Sequence, residues 1–260
     1  MYVYQLHRVV MFLFTLLLVA CGGGGESGEA PAVDATDSAD ASGIAPDLSQ
    51  SGNISGKVNF EGEQPQQARI RMGAEPHCEH KHSGAIYSQA VVVNDNSTLK
   101  NAFVWVKGGM EKYKFPVPSE PARLDQEGCL YSPHVLGVQA GQDIQITNSD
   151  EVTHNIHPVP QQNREWNISQ SSGQELSRSF PRSEIMVPVK CNVHPWMVCY
   201  IGVVAHPYFA VTGDDGTFEL NNVPPGEYTI ETWHERYGTQ EQTVTVGPSE
   251  SKEIEFSYSG

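Results

Sequence analysis

At 260 residues, with 16 Lys and Arg against 31 Asp and Glu, the chain carries a formal charge of -15. That balance argues against a nucleic-acid binder, whose phosphate contacts need a basic footprint. Hydrophobic residues at 38% and charged residues at 18% exclude a chain disordered throughout, and the length suits one or two domains with a real core. With 24 Gly, 17 Pro and no long helix-period segment, an all-α fold is excluded as well.

The first element is a targeting segment. His7 and Arg8 precede an apolar run, residues 9–20, that is short for a membrane span but fits the hydrophobic core of a secretory signal. It ends in Leu18-Val19-Ala20-Cys21, which resembles a bacterial lipobox. The resemblance implies cleavage before Cys21, lipidation of Cys21, and a protein anchored to a membrane on the extracytoplasmic side, in the periplasm or at the cell surface. Residues 22–50 hold six acids, no Lys or Arg, and many Gly, Ala and Ser. Such a stretch cannot bury enough apolar surface to order itself, so residues 21–50 are expected to be a disordered acidic tether.

From Gly52 onward the apolar stretches are short, β-branched and bounded by turn residues, which predicts strands. In chain order they cover 54–60, 90–93, 102–106, 135–138, 143–147, 153–159, 175–180, 185–191, 200–205, 217–220, 228–233 and 242–246. Ile144 and Ile146 alternate with Gln145, and Tyr228, Ile230 and Thr232 alternate with Thr229 and Glu231. The expectation is an all-β chain of sandwiches or barrels.

Two stretches near the ends of this region, Gly56-Lys-Val-Asn-Phe-Glu-Gly62 and Asp215-Gly-Thr-Phe-Glu-Leu-Asn-Asn-Val-Pro-Pro-Gly-Glu-Tyr-Thr-Ile230, resemble the start and end of the carboxypeptidase-regulatory-like, transthyretin-type sandwich. About 150 residues intervene, so the resemblance implies a split outer sandwich, 51–73 plus 208–258, with a second domain, 74–207, inserted in it or packed on it.

The chemistry lies in the insert. Cys191-Asn-Val-His194-Pro-Trp-Met197 joins two predicted strands, and His154-Asn155 begins an earlier one. Two imidazoles and a thiolate in a plane, with a weak axial thioether, make a blue-copper ligand set. These residues resemble the cupredoxins, Greek-key β-sandwiches, and the loop is most similar to those of amicyanins and plastocyanins. The resemblance covers about residues 140–205. It implies one type 1 copper, with His154, Cys191 and His194 as equatorial ligands, Met197 as the axial ligand, and the Asn155 N–H bonded to the Cys191 sulfur. It also implies an exposed His194 edge, surrounded by Val193, Pro195 and Trp196 as a docking patch for a redox partner such as a c-type cytochrome or a membrane oxidoreductase; the alternative for Trp196 is that it packs inward and stiffens the ligand loop. The segment 161–174, longer than in small cupredoxins, is expected to form an extra loop over the site.

Cys199 is read as a small buried hydrophobe on its strand. That leaves Cys78 and Cys129, and an oxidising compartment favours a disulfide between them. The alternative is that Pro76-His77-Cys78-Glu79-His80-Lys81-His82 is a His-rich copper-loading site. His134 is either a hydrogen-bonding core residue or a neighbour of copper. His157 should face away from His154, and Trp233-His234-Glu235 is read as packing plus a surface polar pair. The functional expectation is a non-catalytic, lipid-anchored electron carrier. The alternative is a copper-storage or delivery protein. A copper enzyme and a carbohydrate-binding or adhesion module are further readings.

Overall fold

The computed structural model describes residues 43–73 and 75–260. The signal segment, Cys21 and most of the expected tether lie outside those residues. The end of that tether is ordered: Ile44 bridges to Tyr113, exchanging backbone hydrogen bonds with Lys112 and Lys114 at 3.1 and 3.0 Å. Backbone pairing here overrides the polar composition that suggested disorder.

The chain is all-β, arranged as two sandwiches. In the flanking one, a three-stranded sheet runs in the order Thr217–Val223, Gly52–Glu61, Ser251–Ser259. Its partner runs Phe209–Val211, Phe103–Gly108, Gly226–His234, Gly238–Val246. Gly52–Glu61 pairs antiparallel with Thr217–Val223 and parallel with the C-terminal strand, so the two ends of the folded region share one sheet. Alternate residues point inward: Ile54, Val58, Phe218, Leu220, Phe256 and Tyr258 meet Val104, Val106, Tyr228, Ile230 and Val244.

The inserted sandwich has one sheet in the order Glu175–Arg178, Ile144–Asn148, Ala122–Glu127, Leu130–Ser132. The facing sheet runs Ile168–Gln170, His154–Pro158, Glu184–Lys190, Val198–Val204, Val135–Gln139. Leu124, Ile144 and Ile146 pack there against Ile156, Val187, Val189, Ile201 and Val203.

The boundary differs from the sequence expectation. Phe103–Gly108 was placed in the insert, but it pairs with Phe209–Val211 and Gly226–His234, in the flanking sandwich. Its run of four apolar residues has a physical reason. Val104 and Val106 enter the flanking core, while Phe103 and Trp105 face the other way and pack with Val135, Met186 and Val204 of the insert. A strand covered on both faces reads as a continuous apolar run. The close approach also demands glycine opposite it: a Cβ on Gly202 would lie 2.6 Å from the Phe103 ring, and one on Gly137 would lie 2.5 Å from Phe209.

Two further differences concern loops. Within 161–174, Ile168–Gln170 is a strand paired with His154–Pro158, so part of the expected loop extends the sheet beside the site. Glu235 is not in a surface pair. Its carboxylate accepts from Tyr200, at 3.2 Å, and sits 2.6 Å from His134 Nε2, joining the two sandwiches, while His234 is buried.

Candidate metal centre

The site forms where two strands of the insert end side by side. The ladder pairs His157 with Lys190 and Pro158 with Val189, which brings the start of His154–Pro158 next to the turn after Glu184–Lys190. That turn is closed by its own backbone: Met197 N–H donates to the His194 carbonyl (3.0 Å) and Cys191 N–H to the Met197 carbonyl (3.2 Å). A turn this tight folds Cys191 and His194 back toward one point.

His154 Nδ1 and His194 Nδ1 face each other at 2.9 Å, and Cys191 Sγ lies 3.8 Å from His194 Nδ1. Donor atoms of the three residues all lie within 4.8 Å of one another. Relative exposures are 0% for His154, 1% for His194 and 4% for Cys191, so water is largely excluded. The sulfur accepts backbone N–H bonds from Asn155 (3.3 Å) and His194 (3.4 Å). Met197 is buried beneath the same turn, and Tyr131 braces the pair of strands through the carbonyls of Asn155 and Lys190.

The sequence did not single out Asp150. This fully buried carboxylate lies 2.9 Å from His154 Nε2 and accepts N–H bonds from Gly128 (2.8 Å) and Cys129 (2.7 Å). The available signal was its place in Asn148-Ser-Asp150, a turn four residues before His154.

The electrostatics fit a cation. Burial disfavours the charged form of the Asp150 carboxyl, but the His154 bond and the Cys129 and Gly128 N–H groups outweigh it and hold the acid ionised. For Cys191, burial is likewise outweighed, by His154 and by backbone N–H groups, and the thiol titrates below its usual range. His154 rises to about 9, because Asp150 and Cys191 overcome the burial that opposes its charge. His194 is lowered, first by burial and then by the charge on His154. Asp150 at Nε2 and Cys191 on the other side of the ring thus both favour the charged form of His154. Cys199 is fully buried, and burial pushes its thiol well up, so it is an inert core residue.

A cap covers the centre. Pro76–His80 is a short helix, and its Cys78 is bridged to Cys129 with an S–S distance of 2.04 Å. Cys78 Sγ lies 3.7 Å from His194 Nε2. The expected exposed His194 edge is therefore corrected: the disulfide sits on it. Trp196 is fastened by Nε1–H to the Cys129 carbonyl at 3.0 Å, its ring 5.2 Å from that of His194. Val193, at 44%, and Pro195 remain exposed. His82 binds the Gly128 carbonyl, His77 lies 4.0 Å from Glu151, and His80 is exposed, so the three do not converge. His157 faces Asn192 and Glu165, away from the centre.

Residues 203–259 match the family of carboxypeptidase regulatory-like domains. The match covers the strands from Phe209 to Ser259 of the flanking sandwich, whose sheets are completed by Gly52–Glu61 and Phe103–Gly108. Similar solved structures include a purple cupredoxin from Nitrosopumilus maritimus, 23% identical over 32% of this chain and 98% of that one, with a TM-score of 0.28. A Cu-containing nitrite reductase from Thermus scotoductus SA-01 is 18% identical over 39% of this chain and 25% of that one, with a TM-score of 0.32. A Cu(I) form of an amicyanin mutant is 21% identical over 34% and 85%, with a TM-score of 0.30. Likenesses this distant carry no argument about what the present chain binds. No curated protein matches.

Proposed function

We propose that this chain binds one copper ion through His154, Cys191 and His194, with Met197 as a weak fourth ligand, and carries single electrons outside the cytoplasm while anchored to a membrane by lipidated Cys21. The observation that carries this reading is the convergence of two imidazole Nδ1 atoms and one N–H-bonded thiolate in a buried pocket. Soft thiolate and thioether donors favour Cu(I) and imidazoles also suit Cu(II), so copper bound here would supply one-electron chemistry. The protein's part is to hold the donors rigid: the closed turn fixes Cys191 and His194, Asn155 fixes the sulfur, and Tyr131 fixes the strands.

The cap favours a carrier over a delivery protein. Ligands buried beneath a disulfide-locked segment suit retention of metal rather than exchange. With His194 covered, Val193 and Pro195 are the exposed part of the ligand loop, and we place the docking of a c-type cytochrome or membrane oxidoreductase there. Weak redox encounters use small interfaces, under about 1,200 Å². In this reading Trp196 stiffens the loop. The reading assigns the chain no catalytic residue.

The test is an absorption spectrum of the full chain with Cu(II). An intense thiolate-to-copper band in the visible red is expected, with complete loss in Cys191→Ser. Retention of that band in the variant would overturn the assignment.

A further inference from the structure

We propose that Asp150 is a positioning residue of this centre: its buried carboxylate orients His154 with Nδ1 bare toward the metal and biases the site toward divalent over monovalent copper. The proposal rests on the reading that His154, Cys191 and His194 hold copper.

The geometry leaves the carboxylate no freedom. Oδ1 accepts from Gly128, and Oδ2 accepts from Cys129 and sits 2.9 Å from His154 Nε2. The Asp150 N–H donates to Asn148 Oδ1 at 3.1 Å, and the Asn148 amide is itself held by the carbonyls of Val152 (2.9 Å) and Gln170 (3.0 Å). Both carboxylate oxygens already accept backbone N–H bonds, so Nε2 donates the proton shared with Oδ2, which leaves Nδ1 as the ring atom that would bind the metal in place of a proton. Such a partner raises the donor strength of the ring.

The two imidazoles are made unequal. Among the described residues no carboxylate hydrogen-bonds His194 Nε2, which faces the Cys78 sulfur at 3.7 Å, a weak partner. His154 is therefore the strong donor of the pair. Charge counting points the same way. The Cys191 thiolate and the Asp150 carboxylate bring two negative charges into a pocket where both residues are at most 4% exposed. A divalent ion neutralises them, whereas a monovalent ion leaves one buried charge uncompensated, which is costly. Removing the carboxylate should therefore weaken divalent binding more than monovalent binding.

The competing role is purely structural. Asp150 caps the turn at Gly128 and Cys129, both with positive φ (62° and 55°), and that role alone would affect stability and nothing else. Two variants of the full chain separate the roles: Asp150→Asn, which keeps the shape, and Asp150→Ser, whose hydroxyl avoids an amide facing the N–H groups. Zn²⁺ affinity of the metal-free protein, measured with a competing chelator, should fall about 10–100-fold. The copper reduction potential should rise by about 59 mV for each tenfold selective loss of Cu(II) binding. Unchanged Zn²⁺ affinity and potential in a folded variant, with only a lower melting temperature, would assign Asp150 to the turn and overturn the proposal. If Cys191→Ser abolishes the copper band while Asp150 variants leave affinity and potential unmoved, this inference fails alone. If Cys191→Ser keeps the band, the copper assignment itself fails.

Discussion

The flanking and inserted sandwiches solve the same packing problem with different interiors. Each closes two sheets over one apolar cluster by alternating residues along its strands. The flanking core cluster is built from aliphatic and aromatic side chains, Phe218 against Phe256 and Tyr228 beneath Pro224, whose carbonyl accepts the Tyr228 hydroxyl at 2.6 Å, with His206, Glu231, Thr232 and His234 buried around it. The inserted core also buries Asp150, His154, His194, Gln126, Asn148 and Gln170. Buried polar groups are costly unless they bond to one another, and here they do: Gln126 donates to Gln170 at 2.8 Å, Asn148 holds the Asp150 loop, and Asp150 holds His154. An apolar interior secures a fold, and a bonded polar interior secures a geometry at which chemistry can occur.

This contrast can be broken at graded cost. The largest stability effect is expected in the apolar interior. Phe256→Ala removes a side chain that is 1% exposed and should cost about 3–5 kcal/mol in denaturant unfolding, with the spectrum of the metal-loaded insert unchanged in the folded fraction. A shifted spectrum would mean that the two interiors are not separable. The Cys78→Ser, Cys129→Ser double variant should cost about 2–4 kcal/mol and should make His194 reactive toward an imidazole-modifying reagent. An unreactive His194 would show that the cap stays in place without its bridge.

The smallest effect should come from His234, a buried imidazole of the flanking sandwich. His234 is 1% exposed, stacks on Tyr237 at 4.9 Å, and burial lowers it from 6.5 to about 4. Its folded value lies below its unfolded one, so the unfolded chain binds more protons in between. Its contribution is fully present above pH 6.5 and is lost as pH falls toward about 4. Stability should fall by on the order of 1 kcal/mol between about pH 7.5 and about pH 5.5, and His234→Gln should flatten that part of the pH profile. An unaltered profile would remove His234 from the account.

What could be read from the chain was whatever lies close along it. Cys191, His194 and Met197 sit in one seven-residue turn, so their spacing already implies convergence. Period-2 alternation exposes a strand because its two faces see different surroundings. That signal was also present in Ser251–Ser259, where Ile254, Phe256 and Tyr258 alternate with Glu253, Glu255 and Ser257, although the strand was not recognised. It was absent in Phe103–Gly108, where both faces are covered and a continuous apolar run does not say by which domain.

The sequence by itself determined the all-β class and placed Cys191, His194 and Met197 on one short segment, because composition, alternation and short spacings are local properties of a chain. Tertiary structure alone decided that Asp150 meets His154, that Glu235 meets His134 across 101 residues, and that Cys78 covers His194 across 116. Those contacts depend on which strands become neighbours, and strand pairing is settled by burial of the whole core rather than by any one segment.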